Sequence, residues 1–266
     1  MPTEQNMSNK PTALLTNDDG YDSYFFEVLV EAFSPHFNLS IAAPAEEQSW
    51  IGRGMTRRDP VSVEEIEVQG VPAWKIGGTP TDCVNIALGC LMQEKPDIVV
   101  SGINLGMNVT LPMILASGTV AGALEAAFWD IPSIAFSQNI QAEEYDAVRK
   151  VKGHEPSHAR DDVEVAAQTA AKMSLELLEN PLPKLSLPNI NFAHGLDADT
   201  PVEDTRPGCP FVGGLFADPD PEGISRFKFQ HGIFDEEPGD TDVKCLRRGH
   251  TSRVILDYSI LGGHRA

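Results

Sequence analysis

The chain has 266 residues, which is enough for one large α/β domain with a full core or for two small domains. Its apolar fraction of 41% and charged fraction of 22% are ordinary for a globular protein and argue against global disorder. The formal net charge of −19 disfavours a nucleic-acid polymer or an anionic membrane as the partner, because both attract basic surfaces. A small anionic substrate would therefore need a local cation in order to bind.

The N-terminal segment, residues 1–10, is polar and lacks the apolar core of a signal peptide. No stretch of the chain reaches the ~18 consecutive apolar residues that a membrane span requires. We therefore expect a flexible N-terminus, no membrane partner and a cytoplasmic location.

The first apolar run, residues 11–15, is too short for a helix and is bounded by turn residues, so it predicts a buried strand. Asp18 and Asp19 follow this strand, and Gly20 allows the chain to turn. Neighbouring side chains of a strand point to opposite faces, so both acids can converge only at such a turn. Like charges this close repel each other unless a cation lies between them. The segment is therefore either a solvated turn or half of a metal site.

Beyond this point, apolar and turn residues alternate in a pattern typical of strand–helix–strand units, which form parallel sheets through right-handed crossovers. The predicted strands after the first span residues 39–44, 97–100, 131–136, 188–192 and 253–256, with a β-hairpin over 61–76. The predicted helices span residues 24–33 and 161–180, begin at Thr79 and Ser117, and include a short helix after residue 242. Asp82 is expected to be a helix-start residue of the helix that begins at Thr79, and not to bind a metal.

Two regions are expected to be irregular. Residues 141–160 are charged and predict an exposed insertion, and residues 195–239 predict loops with a short strand at 227–229. His154 and His158 match a zinc-protease pattern by letter, but Pro156 breaks the helix that the pattern needs.

Three loops leave the carboxyl ends of predicted parallel strands, which is where open α/β sheets bind ligands. They carry Asp18 and Asp19, then Ser49, then Asn104, and the last of them also contains the expected turn glycines Gly102 and Gly106. Oxygen donors without His or Cys favour a hard ion such as Mg²⁺, Mn²⁺ or Ca²⁺. The helix that begins at Ser117 offers free backbone N–H groups to an anion. A divalent ion facing such a helix suggests a site for a phosphate monoester.

Five motifs in this order resemble the SurE family of metal-dependent nucleotidases. They are Leu15-Thr16-Asn17-Asp18-Asp19-Gly20, Ala43-Pro44 with Glu47-Gln48-Ser49, Gly78-Thr79-Pro80-Thr81-Asp82-Cys83-Val84, Ser101-Gly102-Ile103-Asn104 with Gly106 and Asn108, and Ser117-Gly118-Thr119-Val120. The resemblance is strong over residues 12–137 and weak in the C-terminal half, where it rests on residues 189–191 and 241–242.

The resemblance implies one divalent cation per subunit, Mg²⁺ or Mn²⁺, and hydrolysis of 5′ or 3′ nucleoside monophosphates to nucleoside and phosphate. The implied metal ligands are Asp18, Asp19, Ser49 and Asn104. The implied phosphate-binding residues are Asn108, Ser117, Gly118 and Thr119. The implied catalytic residues are Asp18, Asp19, Asn108 and Ser117.

The resemblance also implies a fold, in which residues 1–266 form a single Rossmann-like α/β domain. We expect a three-layer sandwich with a mainly parallel sheet, a projecting β-hairpin and a C-terminal extension at about 240–266. This extension would be exchanged between the subunits of a homodimer or homotetramer. Its predicted strand has no obvious way to be buried within its own chain, which favours exchange.

Several alternatives stay open. The base that activates water could be a metal-bound hydroxide or a carboxylate, and a covalent aspartyl intermediate is a further route. The scaffold could instead belong to a non-catalytic nucleotide or anion sensor, or to a generic acid phosphatase with a non-nucleotide substrate. Trp50 and Ile51 depart from the small residues that the family usually carries there. Trp50 is expected to line the nucleoside side of the pocket, where an aromatic ring can stack on a base.

Overall fold

The structure, a computed structural model, describes residues 10–209, 214–228 and 238–261. The strands are β1 (Thr12–Thr16), β2 (Asn38–Pro44), β3 (Val63–Val68), β4 (Val71–Ile76), β5 (Ile98–Leu105), β6 (Ser133–Gln138), β7 (Ser186–Phe192), β8 (Val202–Asp204) and β9 (Thr251–Asp257). The helices are α1 (Tyr24–Phe33), α2 (Pro80–Ile86), α3 (Leu111–Ala116), α4 (Gly118–Phe128), α5 (Ala142–Lys150), α6 (His158–Glu179) and α7 (Asp242–Arg247). A π-helical turn over Ala87–Leu91 continues α2, and a 3₁₀ turn over Tyr258–Ile260 follows β9.

The described strands form one sheet of nine strands in the order β3-β4-β2-β1-β5-β6-β7-β9-β8. The six neighbouring strands from β4 to β7 are parallel, whereas β3 and β9 run antiparallel to their inner neighbours. This arrangement confirms the predicted Rossmann-like α/β fold with a mainly parallel sheet. It also gathers the loops that leave β1, β2 and β5 at one edge of the sheet.

Helices cover both faces of the sheet because the side chains of the central strand alternate between two cores. Ala13 and Leu15 of β1 belong to the same core as the aromatic residues of α1 and the alanines of α6. Leu14 belongs to the core on the opposite face, with residues of α2 and α4. The predicted three-layer sandwich is therefore present.

The hairpin of β3 and β4 turns at Gln69 and Gly70, which both have positive φ angles, as a tight hairpin turn requires. Strand β4 also pairs in parallel with β2. The hairpin therefore extends the main sheet at one edge.

Strand β5 is longer than predicted, because Ser101 to Leu105 belong to the strand and not to the following loop. Its pairing with β6 shifts register between Ser101 and Asn104. A Cβ atom on Gly102 would lie 2.3 Å from the backbone oxygen of Phe136. Gly102 is therefore needed for the close approach of β6, and the prediction of a turn at this position was wrong.

The region 141–160 is mainly helical, so the prediction of an irregular insertion was wrong. It contains α5 and the start of α6, whose first turn is capped by the Ser157 side chain. Val148 is the one buried residue of α5, which is why the apolar pattern gave little sign of a helix. Glu143 and Glu144 in its first turn and basic residues in its last turn complement the helix dipole.

The C-terminal helix and strand were predicted correctly, as α7 and β9. Strand β9 lies between β7 and β8 of its own chain, so the reason given for exchange between subunits does not hold for the described residues. Phe227 forms an isolated bridge with Phe216 and no longer strand, and Phe229 lies outside the described residues. Within the described part of the chain, no helix has the length and apolar character needed to cross a membrane.

Asp82 lies in the first turn of α2, as predicted, and also anchors the loop that follows β2. Its backbone N–H donates to the Thr79 hydroxyl, and its carboxylate accepts from the Thr79 backbone N–H, which together form a capping box. The carboxylate accepts further hydrogen bonds from the backbone N–H and the hydroxyl of Thr56, the latter at 2.7 Å. One buried side chain therefore joins a helix start to a loop.

This double role predicts a large effect of Asp82→Ala on stability. Loss of the cap costs about 1 kcal/mol, and leaving buried donors without a partner adds about 1–2 kcal/mol. We expect Asp82→Ala to lower the free energy of unfolding by about 2–3 kcal/mol and Thr79→Ala by about 1 kcal/mol, in urea titrations with unchanged slope. If the two variants lose the same free energy of unfolding, the hydrogen bonds between Thr56 and Asp82 do not contribute to stability.

Candidate active site

The two acidic residues after β1 are buried where the chain turns. The side-chain amide of Asn17 donates to the backbone oxygen of Gly20 at 2.8 Å, and Gly20 has a φ angle of 101°. Asp18 is only 3% exposed and Asp19 only 6%. A solvated turn is therefore excluded, because both carboxylates lie inside the protein.

The two carboxylates face different partners. Asp18 Oδ1 accepts a hydrogen bond of 2.6 Å from the Thr119 hydroxyl at the start of α4. Asp19 Oδ2 accepts one of 2.8 Å from the backbone N–H of Leu105 at the end of β5. The turn after β1 therefore connects the helix on one side with the central strand on the other.

Burial disfavours the charged form of both groups. It raises the pKa of Asp18 to about 6, against the opposing effect of the hydrogen bond from Thr119. Burial, and then the charge of Asp18, raise the pKa of Asp19 well above its usual value. Neither carboxylate has an ion-pair partner within 4 Å among the residues that the structure describes.

A divalent cation between these carboxylates would supply the missing positive charge, and the donor chemistry fits one. The oxygen of the Asn17 amide is buried and has no hydrogen-bond partner in the described part of the chain. The described residues contain no group of three or more His, Cys, Asp or Glu side chains arranged for a metal. Such a site would therefore rely on two carboxylates, neutral oxygen donors and water, as magnesium sites commonly do.

Ser49 lies in the loop after β2, which reaches the acidic turn through its backbone. The backbone N–H of Gln48 donates to the backbone oxygen of Asp18 at 2.7 Å. The exposed Ser49 hydroxyl donates to Glu47 at 2.7 Å, so its hydrogen is used while its oxygen lone pairs remain for a cation. Among the described residues, no hydrogen bond joins the Ser49 side chain to the carboxylate of Asp18 or Asp19.

Asn104 lies in β5, next to the residue whose N–H binds Asp19. Its side-chain nitrogen donates to the backbone oxygen of Gly106 at 2.7 Å, and the residue is 8% exposed. The remaining polar atom of this amide is its oxygen, which is the atom that a hard cation binds. The structure thus brings Asn104 to the Asp19 side of the turn.

The start of α4 lies directly against Asp18. Ser117 caps the helix by accepting from the backbone N–H of Val120 at 3.1 Å. A Cβ atom on Gly118 would lie 2.9 Å from the Asp18 carboxylate and 3.0 Å from the backbone oxygen of Gln48. Only glycine leaves room for this approach, which places the positive end of the helix dipole beside the acidic pair.

Asn108 is part of a buried hydrogen-bond network that reaches Asp18. Its side-chain nitrogen donates to the hydroxyls of Thr119 and Ser137, at 3.2 and 2.9 Å. Its backbone is held by β7, because its N–H donates to Asn191 Oδ1 at 2.7 Å and its oxygen accepts from Asn189 at 2.8 Å. Sequence reasoning gave Ser137, Asn189 and Asn191 no role in the site. The signal available in the sequence was the presence of two asparagines, Asn189 and Asn191, in an otherwise apolar predicted strand.

A cleft of about 370 Å³ opens on the Asp19 side, between the acidic turn and the end of α5. It is lined by Asp19, Glu47, Leu105, Asp146, Arg149, Lys150 and Lys152. Arg149 contacts both oxygens of Glu47, at 2.9 and 3.0 Å, and Lys152 forms an ion pair with Asp22. These basic residues were missed because residues 141–160 had been predicted to be an exposed insertion. They are local cations in a chain with strong negative net charge.

Tyr145 of α5 covers the end of β5. Its ring would lie 3.1 Å from a Cβ atom on Gly106, so the expected turn glycine also makes room for this ring. Burial, and then the charge of Asp19, raise the pKa of Tyr145 to about 12. Tyr145 is therefore protonated at neutral pH.

The chain resembles proteins of one family along most of its length. The family model described as "Survival protein SurE" matches residues 13–208, beyond the range of the motifs above. A protein named "5'-nucleotidase SurE" from Methanosarcina acetivorans is 33% identical over 91% of this chain and 90% of its own length. One of the same name from Methanopyrus kandleri is 35% identical over 94% of this chain and 92% of its own.

A solved structure extends this likeness to the fold. The crystal structure of the SurE protein from Aquifex aeolicus superposes with a TM-score of 0.70 at 26% sequence identity, and covers 96% of this chain and 98% of its own. The family match and the full-length relatives agree with the five motifs that surround the acidic turn. The chain therefore belongs to the SurE family.

Proposed function

We propose that this protein is a divalent-metal-dependent phosphatase that hydrolyses nucleoside monophosphates, 5′ or 3′, to nucleoside and phosphate. The observation that carries the proposal is the pair of buried carboxylates, Asp18 and Asp19, in contact with the N-terminus of α4. A cation held by the two carboxylates and a phosphate held by the N-terminus of α4 would be neighbours. The names of the relatives, 5′-nucleotidases, support a nucleotide as the substrate.

The residues that would hold Mg²⁺ or Mn²⁺ are Asp18, Asp19, Ser49 and Asn104, which offer only oxygen donors. A bound divalent cation would polarise the phosphate and lower the pKa of a coordinated water. The raised pKa values of the two acids support this assignment, because a buried like-charge pair is stabilised by a cation.

The chain's own residues would bind and orient the phosphate. Backbone N–H groups of Gly118 and Thr119 at the start of α4 and the Asn108 amide would donate to the phosphate oxygens. Asn189 and Asn191 would keep Asn108 in place through its backbone. One of the two carboxylates would accept the proton of the attacking water.

Two rival functions are less well supported. A sensor that binds nucleotides without hydrolysing them has no need for two carboxylates whose burial raises both pKa values. An acid phosphatase with a non-nucleotide substrate would leave the names of the full-length relatives unexplained. The cytoplasmic location stays part of the proposal, and the acidic composition supports a small substrate over a nucleic-acid polymer.

The metal proposal predicts that activity on nucleoside monophosphates disappears with EDTA and returns with Mg²⁺ or Mn²⁺. Asp19→Asn removes a charge while it keeps size and most hydrogen bonding. Loss of metal catalysis removes several kcal/mol of transition-state stabilisation, so we expect kcat to fall roughly a thousandfold, equivalent to about 4 kcal/mol. Phosphate release under saturating metal measures the effect.

The matched control is Asp130→Asn, an exposed residue beyond the other end of α4 that pairs with Lys184. This variant should keep the activity of the unchanged protein. Near-normal and EDTA-resistant turnover in Asp19→Asn would contradict the metal site and the proposed function with it.

The raised pKa of Asp18 predicts how the stability of the metal-free protein depends on pH. Its pKa is about 6 when folded, against 3.8 when exposed, so the folded state binds the proton more tightly. The free energy of unfolding should therefore fall as the pH rises from about 4 through about 6, by about 3 kcal/mol from this group.

Metal and protons compete for the same oxygens, so Mg²⁺ should raise the melting temperature more at about pH 8 than at about pH 5. Thermal denaturation in EDTA and in Mg²⁺ measures both effects. Asp18→Asn should remove the Asp18 contribution to the metal-free dependence on pH and leave the contribution of Asp19, whose pKa is also raised by burial. A metal-free protein whose stability does not fall across this pH range would show that Asp18 is not held in an unfavourable charged state.

The proposal includes assembly into a homodimer or homotetramer with exchange of residues from about 240 to 266. Ile255, Ile260 and Leu261 of this segment are exposed apolar residues, which favours contact with a second chain. Light scattering at micromolar concentration should give two or four times the mass of one chain. A single-chain mass would rule out the exchange.

A further inference from the structure

The loop after β2 crosses the start of α4, where the phosphate is proposed to bind. The backbone oxygen of Gln48 would lie 3.0 Å from a Cβ atom on Gly118. The backbone N–H of Gly52 donates to the backbone oxygen of Ala116 at 2.8 Å. Trp50 lies between these two contacts and has a φ angle of 60°, which is uncommon for a bulky residue. The loop therefore holds the backbone of Trp50 beside the N-terminus of α4.

A second segment of the chain brings another aromatic ring to Trp50. The ring centroids of Trp50 and Phe227 are 5.1 Å apart, with an angle of 61° between the ring planes. Phe216 contacts Phe227 in turn, with centroids 5.8 Å apart. Trp50 is 38% exposed and Phe227 is 48% exposed. Both rings therefore keep part of their aromatic surface exposed to solvent.

The segment that carries Phe227 is held in place by backbone hydrogen bonds. Phe216 and Phe227 form an antiparallel bridge. The N–H of Ala217 donates to the oxygen of Arg226 at 2.9 Å, and the N–H of Lys228 donates to the oxygen of Leu215 at 2.7 Å. Phe227 is therefore positioned against Trp50 by a small hairpin from a distant part of the chain.

The two sides of the acidic turn differ in chemistry. Every residue that lines the cleft on the Asp19 side is charged except Leu105. On the Asp18 side the loop instead exposes Trp50, with Phe227 of the small hairpin against it, and exposed apolar surface near a polar site marks a place where a ligand binds. A nucleotide has one anionic end and one flat aromatic end, which match the α4 N-terminus and these rings.

We propose that Trp50 and Phe227 form a nucleobase subsite, in which a base stacks on the exposed aromatic surface while the phosphate lies at the start of α4. This inference rests on the proposed function, because it locates the base of the same substrate. Stacking on an aromatic ring tolerates any base. The subsite therefore favours nucleotides over phosphate esters that lack a base, and discriminates weakly among bases.

The kinetic test compares adenosine and cytidine 5′-monophosphates with ribose 5-phosphate, which has the same sugar and phosphate but no base. Trp50→Ala and Phe227→Ala should each raise KM for both nucleotides about tenfold. The KM for ribose 5-phosphate and the kcat for all three should change less than about twofold. Trp50→Phe should restore most of the nucleotide affinity, because it keeps an aromatic face. The matched control is Phe128→Ala, which removes an exposed aromatic ring that lies under Arg53 at the end of α4.

A binding test works without catalysis and without metal. Adenosine in the presence of EDTA should quench tryptophan fluorescence, and the quenching should be lost in Trp50→Phe. The other tryptophans, Trp74 and Trp129, pack against the core on the α2 and α4 face, so they should contribute little. This readout reports base stacking alone.

The outcomes separate this inference from the proposed function. If the protein hydrolyses nucleotides but the variants raise KM for nucleotides and for ribose 5-phosphate equally, the rings only support the loop and the subsite is wrong. If Trp50→Ala instead changes the molar mass in light scattering and leaves KM unchanged, the rings form a subunit contact and the subsite is again wrong. If neither substrate is hydrolysed while adenosine still quenches Trp50, the subsite stands and the proposed function fails.

Discussion

Two adjacent carboxylates buried at the end of β1 are the constraint on which the rest of the site depends. Burial raises the pKa of both, and neither has an ion-pair partner among the described residues. The surrounding structure compensates in part, through the Thr119 hydroxyl, the Leu105 N–H and the dipole of α4. Full compensation needs a positive charge, which is why we propose a divalent cation as the occupant.

The same turn divides the site into two sides with different tasks. Asp18 faces the start of α4, where Gly118 allows the helix end to approach and the Asn108 network fixes the polar surroundings. Asp19 faces β5 and the cleft toward α5, where Arg149 and its neighbours place local cations in a strongly acidic chain. Metal, phosphate and nucleoside would then meet at the edge where parallel strands end.

The central fold was predictable because its signals are local. The apolar stripe predicted α1 over the residues it occupies, and the prolines and turn residues ended β1 and β2 close to their observed ends. Asp82 was correctly assigned to a helix start because Pro80 and its polar neighbours mark that start locally. Strand β5 was predicted to be too short because glycine is a common turn residue. The reason for a glycine at position 102 is the close approach of β6, which the sequence does not show. Helix α5 has a single buried residue, so its pattern carried little information.

Site residues that depend on long-range contacts could not be found in this way. Asn189 and Asn191 reach Asn108 across more than eighty positions of the chain, and Phe227 meets Trp50 from a short strand predicted within a loop-rich region. The central claim, that Asp18 and Asp19 share one cation, is tested most directly by anomalous diffraction from crystals grown with Mn²⁺. The account predicts one anomalous peak per chain within bonding distance of both carboxylates, beside the start of α4. Saturating Mn²⁺ bound elsewhere, with this carboxylate pair left in contact with water alone, would contradict it.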